Sequence, residues 1–131
     1  MTRIAKLTTT LGLAVLHIAP DRSLSWDVDK VPGRQIHSPP HVADMDGDGH
    51  LDVVTSEYSA FGDQPGELVA RFGDGSGRFP SQSLLPTGNN RYGGIESGDL
   101  DGDGRRDLAG AASGLNPYGV GTVVVHRGNG A

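Results

Sequence analysis

Two stretches of this chain carry the same nine-residue pattern of acids and glycines, D-x-D-G-D-G-x-x-D, 55 residues apart. The first runs from Asp44 to Asp52 and the second from Asp99 to Asp107. Three carboxylates at alternate positions, with a fourth four residues later, suit a hard cation that binds oxygen, such as Ca²⁺. The glycines let the backbone turn around such an ion because glycine tolerates positive φ. The pattern therefore constrains both what the chain binds and how it repeats.

Each loop is predicted to hold one Ca²⁺ ion through four carboxylates and one backbone carbonyl, with water completing the roughly six to eight oxygens that the ion prefers. Without a counter-ion, carboxylates this close repel one another strongly. All four acids of a loop are used in coordination, so we expect a structural role for the metal. The predicted ligands are Asp44, Asp46, Asp48, the His50 carbonyl and Asp52 in the first loop, and Asp99, Asp101, Asp103, the Arg105 carbonyl and Asp107 in the second.

Two other interpretations of the loops are weaker. Asp and Gly satisfy turn geometry by themselves, so the loops could be simple turns. However, a nine-residue pattern that occurs twice with six identical residues argues against coincidence. An EF-hand loop requires an acid at its twelfth position, which is Thr55 in the first loop and Gly110 in the second. The residues that follow each loop do not begin a convincing helix. An EF-hand or dockerin-type module is therefore disfavoured.

The 55-residue spacing extends beyond the loops and predicts a repeat architecture. Three glycine-led apolar segments, at residues 12–17, 66–71 and 121–126, align at spacings of 54 and 55 residues. Short apolar or β-branched runs bounded by Gly, Pro, Asn or Asp predict an all-β fold. Four short strands in about 55 residues is the size of one propeller blade, a four-stranded antiparallel sheet. We expect the acidic loop to join the first strand of a blade to the second.

The spacing also predicts how the chain is divided. Residues 1–131 are interpreted as a single partial propeller of about two and a half repeats. Residues 1–30 would end a preceding repeat, residues 31–85 would form a repeat with the first calcium loop, and residues 86–131 would form a truncated repeat with the second. Arg3 and Lys6 before an apolar stretch also resemble a secretory signal peptide at 1–19, but His17 and Pro20 fit its cleavage site poorly. We favour a strand there.

The charge and composition of the chain limit the kinds of partner it can have. The formal net charge of −5 includes the eight loop aspartates, and two bound Ca²⁺ ions would bring it to about −1. This acidity argues against nucleic acid as a partner. The chain has no cysteine, so it forms neither disulfides nor thiolate metal sites. No run of about 18 apolar residues is present, so membrane insertion is not expected.

The segments VADMDGDGHLDVVTS, ESGDLDGDGRRDLAGA and ARFGDGSGRF resemble the FG-GAP/VCBS repeat family, whose blades build integrin α-subunit propellers and many secreted bacterial proteins. The resemblance covers roughly residues 12 to 131. It implies a seven-bladed propeller with Ca²⁺ in hairpin loops on one face and a ligand on another. The calcium ligands it implies are the residues already named. It also implies a secreted, extracellular or periplasmic location.

The chain is short for that architecture. A closed propeller needs at least four blades, or about 220 residues at this period. We therefore expect a piece of a larger protein, which would supply the remaining blades. The alternative is a short module whose copies assemble into a ring.

The function predicted from the sequence is a calcium-stabilised extracellular scaffold for adhesion to a protein or glycan, and not an enzyme. The alternative is the propeller segment of a secreted polysaccharide-processing enzyme. We identify no catalytic residues: Glu57, Glu67 and Glu96 are interpreted as solvated or edge residues. The weaker alternatives are a zinc pair at His37 and His41, sugar stacking on Trp26 or Tyr92 rather than packing between blades, and ligand contacts by Tyr58, Phe61 and Tyr118 in inter-strand connections.

Overall fold

The computed structural model describes residues 2–4, 13–18, 24–29, 34–36, 38–59, 66–87, 90–114 and 121–129. Within these ranges the chain forms eleven β-strands in three antiparallel sheets and no helix, which confirms the all-β prediction. No helix that could span a membrane occurs among these residues.

The three sheets follow one another along the chain. The first sheet has the order β1-β2-β3 and the third has the order β9-β10-β11. In the second sheet β4 and β5 pair with different parts of β6, one after the other along its length, and β7 and β8 follow on the other side of β6. The strands are β1 (Thr2–Ile4), β2 (Leu13–Ile18), β3 (Leu24–Asp29), β4 (Arg34–Ile36), β5 (His41–Ala43), β6 (Asp52–Ser59), β7 (Glu67–Phe72), β8 (Ser81–Pro86), β9 (Asn90–Gly98), β10 (Asp107–Gly114) and β11 (Gly121–His126).

The three segments aligned by the 55-residue spacing all form strands, namely β2, β7 and β11. The first strand of the repeat differs between the second and third sheets. In the second sheet it is divided into β4 and β5 around Pro39 and Pro40, because proline has no N–H to donate to the neighbouring strand. In the third sheet the equivalent strand, β9, is continuous.

The main hydrophobic core lies between the second and third sheets. The second sheet supplies Val54, Leu68 and Ala70, and the third supplies Tyr92 and Leu108 among others. Successive side chains of a strand point to opposite faces, so these residues mark the facing sides of the two sheets. Tyr92 is fully buried there, which confirms that it fills the space between sheets and does not offer a sugar-stacking surface.

The opposite face of the second sheet is polar at its centre. Arg71 donates to Glu57 across 2.7 Å and to Thr55 across 2.9 Å, and the Thr55 hydroxyl donates to Glu57 across 2.8 Å. Glu57 and Arg71 are 1% and 3% exposed. The interpretation of Glu57 as a solvated residue is therefore wrong, because its carboxylate is buried and neutralised by Arg71 on the neighbouring strand β7. The sequence alone does not reveal this pairing.

Candidate metal centre

The first acidic loop closes the hairpin between β5 and β6, whose last pair is Ala43 opposite Asp52. Gly47 and Gly49 have φ values of 82° and 90°, in the left-handed region that favours glycine. The left-handed conformations of these two glycines fold the loop back on itself. The predicted position of the loop, between the first and second strands of the repeat, is confirmed.

Within this loop the side chains of Asp44, Asp46 and Asp48 converge, with one oxygen of each lying within 4.8 Å of the others. Loop amides help to orient them. The two Asp44 oxygens accept the N–H groups of Gly47 and Gly49 at 2.7 and 3.0 Å. The backbone of the loop therefore orients the Asp44 carboxylate. Each of its oxygens has a second lone pair, which remains available to bind an ion.

The second loop, between β9 and β10, repeats this geometry. Gly102 and Gly104 have φ values of 82° and 84°, and Asp99 accepts both of their N–H groups at 2.7 and 2.9 Å. Here the converging oxygens belong to Asp99, Asp101 and Asp107, again within 4.8 Å of one another. The backbone turns of the two loops match, but the third acid of each cluster differs: it is Asp48 in the first loop and Asp107 in the second. Of the predicted ligands, Asp52 and Asp103 lie outside the two clusters.

The acid at the ninth position of each loop, Asp52 or Asp107, also joins its loop to a distant part of the chain, which was not predicted from the sequence. Asp52 accepts the Met45 N–H at 2.6 Å and the Gly73 N–H at 2.8 Å. Asp107 accepts the Leu100 and Gly128 N–H groups, both at 2.8 Å. Each of these aspartates therefore ties its loop to the chain just after the third strand of the same repeat.

The two ninth-position acids differ in their electrostatic surroundings. Burial is the largest influence on Asp52 and raises the pKa of its carboxyl, with the Asp46 and Asp48 charges adding to this effect. The Gly128 and Leu100 N–H groups lower the pKa of Asp107. Both side chains are almost inaccessible to solvent, at 0% and 1% exposed, but their charged neighbours differ. Asp46 and Asp48 raise the pKa of Asp52, whereas Arg127 lowers the pKa of Asp107.

The glycines that donate to these acids are also required by close packing. A Cβ added at Gly73 would collide with the Leu51 carbonyl oxygen, and one added at Gly128 would collide with the Arg106 carbonyl oxygen. In the sequence, the hydrogen bond from a glycine N–H to the ninth-position aspartate is indicated by a glycine 21 residues after that aspartate. It recurs in both repeats and could have been found from the sequence.

The remaining predicted ligands are placed as follows. Asp103 lies in the second loop and accepts the Arg105 N–H at 2.8 Å, as Asp48 accepts the His50 N–H at 2.7 Å. His50 and Arg105 are exposed loop residues. Coordination by their carbonyl groups stays a prediction.

A separate polar contact joins the second and third sheets beside the loops. His41 Nε2 and Ser97 Oγ are 2.8 Å apart, and Arg106 donates to the same oxygen at 3.4 Å. The Glu96 carboxylate lies 3.9 Å from His41 Nδ1 but is 90% exposed. Such a carboxylate does not hold the imidazole in a fixed orientation, so we interpret the contact as a link between sheets rather than a catalytic triad.

Several other predictions can be placed. Tyr58 lies in β6 and not in a connection, and its hydroxyl donates to Gln35, so the prediction of a loop position is wrong. The strand runs on because its residues continue to pair with β4. The side chain of Trp26, and the residues His37, Phe61 and Tyr118, fall outside the described part of the chain.

The donor chemistry of the two loops fits a hard metal ion. Every convergent ligand is a carboxylate oxygen, and neither cluster contains the nitrogen or sulfur donors that softer metals prefer. Three carboxylates held this close are mutually repulsive unless a cation lies between them. Both acidic clusters could therefore bind a metal ion.

A comparison with protein families agrees with this geometry. The model of the FG-GAP-like repeat matches residues 44–110, a little over half of the chain, and the match spans both acidic loops. Among curated proteins and solved structures, no significant match to the chain is found. The chain belongs to the FG-GAP-like repeat family.

Proposed function

We propose that this chain is a calcium-stabilised propeller segment that serves as an extracellular scaffold for binding a protein or glycan. One observation carries the metal assignment: two loops a repeat apart each gather three carboxylate oxygens within 4.8 Å of one another. FG-GAP-like repeats are typically extracellular, non-catalytic binding modules, and this supports the location and the role.

Calcium suits these loops better than magnesium. The carboxylates come from glycine-rich turns, and all of them except the buried Asp107 are exposed or half-buried, so they can adjust to the longer and more variable distances of Ca²⁺. Magnesium demands near-ideal octahedral geometry and keeps much of its water. The ion would neutralise the carboxylates and fix the hairpin between the first two strands of each repeat.

The exposed face of the third sheet supports a larger propeller. Val123 and Val125 are 73% and 49% exposed. At the 55-residue spacing they correspond to Leu68 and Ala70, which are buried against the next sheet. A further blade would bury the two valines in the same way, either from a longer chain or from another copy of this one.

Thermal unfolding tests the metal assignment. A ligand that binds only the folded state stabilises it by RT ln(1 + [L]/Kd), or about 2.7 kcal/mol at one hundred times the Kd. Calcium should raise the melting temperature above its value in EDTA, and magnesium at the same concentration should raise it less. Asp46→Asn and Asp101→Asn should each reduce the gain. Asp74→Asn should leave it intact, because Asp74 lies in an exposed turn beside the first loop but belongs to neither acidic cluster.

An enzyme segment is the alternative, and Ser97 gives it a direct test. A fluorophosphonate reacts with a serine activated by histidine, so labelling that is lost in Ser97→Ala would favour the enzyme. We expect no labelling, because the neighbouring His41 lacks a fixed carboxylate partner. Light scattering would separate the two propeller alternatives, since self-assembly gives a discrete mass several times that of the chain.

A further inference from the structure

A cavity of about 260 Å³ lies between the second and third sheets, beside the two acidic loops. Its apolar surface includes Phe72 and Leu85 from the second sheet and Leu108 from the third. Cavities on the order of 300 to 1,000 Å³ hold drug-sized ligands. This one therefore admits a smaller molecule, with room for a single ring.

The polar wall of the cavity carries two arginines, Arg106 and Arg127, on the side of the third sheet, and these make it cationic. His126 lies beside them. Arg127 is 79% exposed and lies 3.8 Å from Asp101, whereas Arg106 makes a long bond of 3.4 Å to a serine hydroxyl. The guanidinium groups therefore keep donors available for an anion, and the apolar surface opposite them would cover an apolar ring.

His126 provides the most specific feature of this wall. Its Nε2 atom is buried and has no hydrogen-bond partner among the described residues. Buried polar atoms in folded proteins nearly always have a partner, so an unpartnered one at the edge of a cavity indicates where a bound molecule would place an oxygen.

The repeat shows why this partner is missing. His126 corresponds to Arg71 of the second sheet, which is neutralised by Glu57. The residue that corresponds to Glu57 is Ala112, so the third sheet has a basic side chain at this position without its carboxylate. Ala112 itself is buried in the core and does not line the cavity, so a carboxylate bound in the cavity would supply the missing acid to His126 from the cavity side.

We propose that this cavity binds a small organic carboxylate with an apolar ring. The carboxylate accepts hydrogen bonds from His126 Nε2 and the Arg106 guanidinium, and the ring packs on Phe72 and Leu108. Inorganic anions lack the apolar part and bind more weakly, and neutral rings lack the charge.

Asp46 also lines the cavity and links it to the first acidic loop. Its charge repels an anion until a cation neutralises it. This coupling rests on the proposed calcium site, so carboxylate binding is to be measured both in EDTA and in calcium. The cationic wall itself does not depend on the metal.

The experiment is calorimetric titration of the full chain with benzoate, compared with benzamide and with sulfate. Benzamide has the same ring without the charge, and sulfate has the charge without the ring. His126→Ala and Arg106→Gln should each weaken benzoate binding about tenfold, the effect of losing one charge-assisted hydrogen bond. Arg78→Gln, an exposed arginine outside this cavity, is the matched control and should not change it. Near-UV circular dichroism verifies that each variant is folded.

We expect benzoate to bind more tightly than benzamide and sulfate in EDTA, and more tightly still in calcium. Equal binding of benzoate and benzamide, equal binding of benzoate and sulfate, or unchanged binding in both folded variants would overturn the carboxylate site. If benzoate binds alike with and without calcium while calcium itself binds, the coupling through Asp46 is wrong and the cavity assignment stands. Absence of calcium binding would overturn the metal assignment alone.

Discussion

The Asp52 carboxylate holds the first acidic loop against the chain that follows β7, and Asp52→Asn tests this role apart from metal binding. One oxygen accepts the Met45 N–H at 2.6 Å and the other accepts the Gly73 N–H at 2.8 Å. The side chain is fully buried, so water cannot replace either bond. In the variant the amide oxygen can accept one of the two N–H groups. The amide NH₂ group then lies against the other N–H, and two donors cannot form a hydrogen bond.

The expected cost follows from these contacts. Losing one buried hydrogen bond to a charged group costs about 1.5 to 3 kcal/mol. Part of this is offset because burial raises the pKa of Asp52, which shows that the ionised carboxylate is held at a desolvation cost that asparagine avoids. A net loss of about 2 kcal/mol lowers the melting temperature of a chain of this length by roughly 6 to 10 °C.

The assay is thermal unfolding in EDTA, followed by circular dichroism. Asp48→Asn is the matched control, because Asp48 belongs to the same loop but is exposed and accepts only the local His50 N–H among the described contacts. It should change the melting temperature in EDTA little. An Asp52→Asn variant that melts with the parent in EDTA and differs only in calcium would refute the structural role.

Two further substitutions test the packing between and within sheets. Gly110→Ala should destabilise the fold by about 1 to 2 kcal/mol in urea unfolding, because the new methyl group overlaps the Tyr92 ring. Gly94→Ala, where a Cβ meets no atom within 4 Å, should cost almost nothing, and equal effects would contradict the packing account. Glu57→Gln should cost about 3 kcal/mol by removing the carboxylate charge that pairs with the buried Arg71, whereas the same change at the exposed Glu96 should be neutral.

The acidic loops were predictable from sequence because their contacts are local. The hydrogen bonds of Asp44 reach only three and five residues along the chain, so a nine-residue pattern contains the donors, the acceptors and the glycines that the turns require. The strand that follows each loop was predictable for the same reason. Pro39 and Pro40 likewise indicate locally that the first strand is interrupted.

The contacts between strands and sheets were not predictable in this way. The pairing of Glu57 with Arg71 depends on the register of β6 against β7, which a single sequence does not specify. The bond between His41 and Ser97 joins residues 56 apart and depends on how one sheet packs on the next. From the sequence alone Glu57 is expected to lie in solvent, because glutamate is almost never fully buried unless it is paired. Its partner, Arg71, is brought to it only by the tertiary structure.

The central claim is that each of the two acidic loops is a calcium site. Calorimetric titration of calcium into the metal-free chain tests it most directly, with the stoichiometry as the deciding quantity. We predict two ions per chain, one for each cluster of acids, and one ion per chain for both Asp46→Asn and Asp101→Asn. No heat of calcium binding, together with a melting temperature that EDTA does not change, would contradict the account.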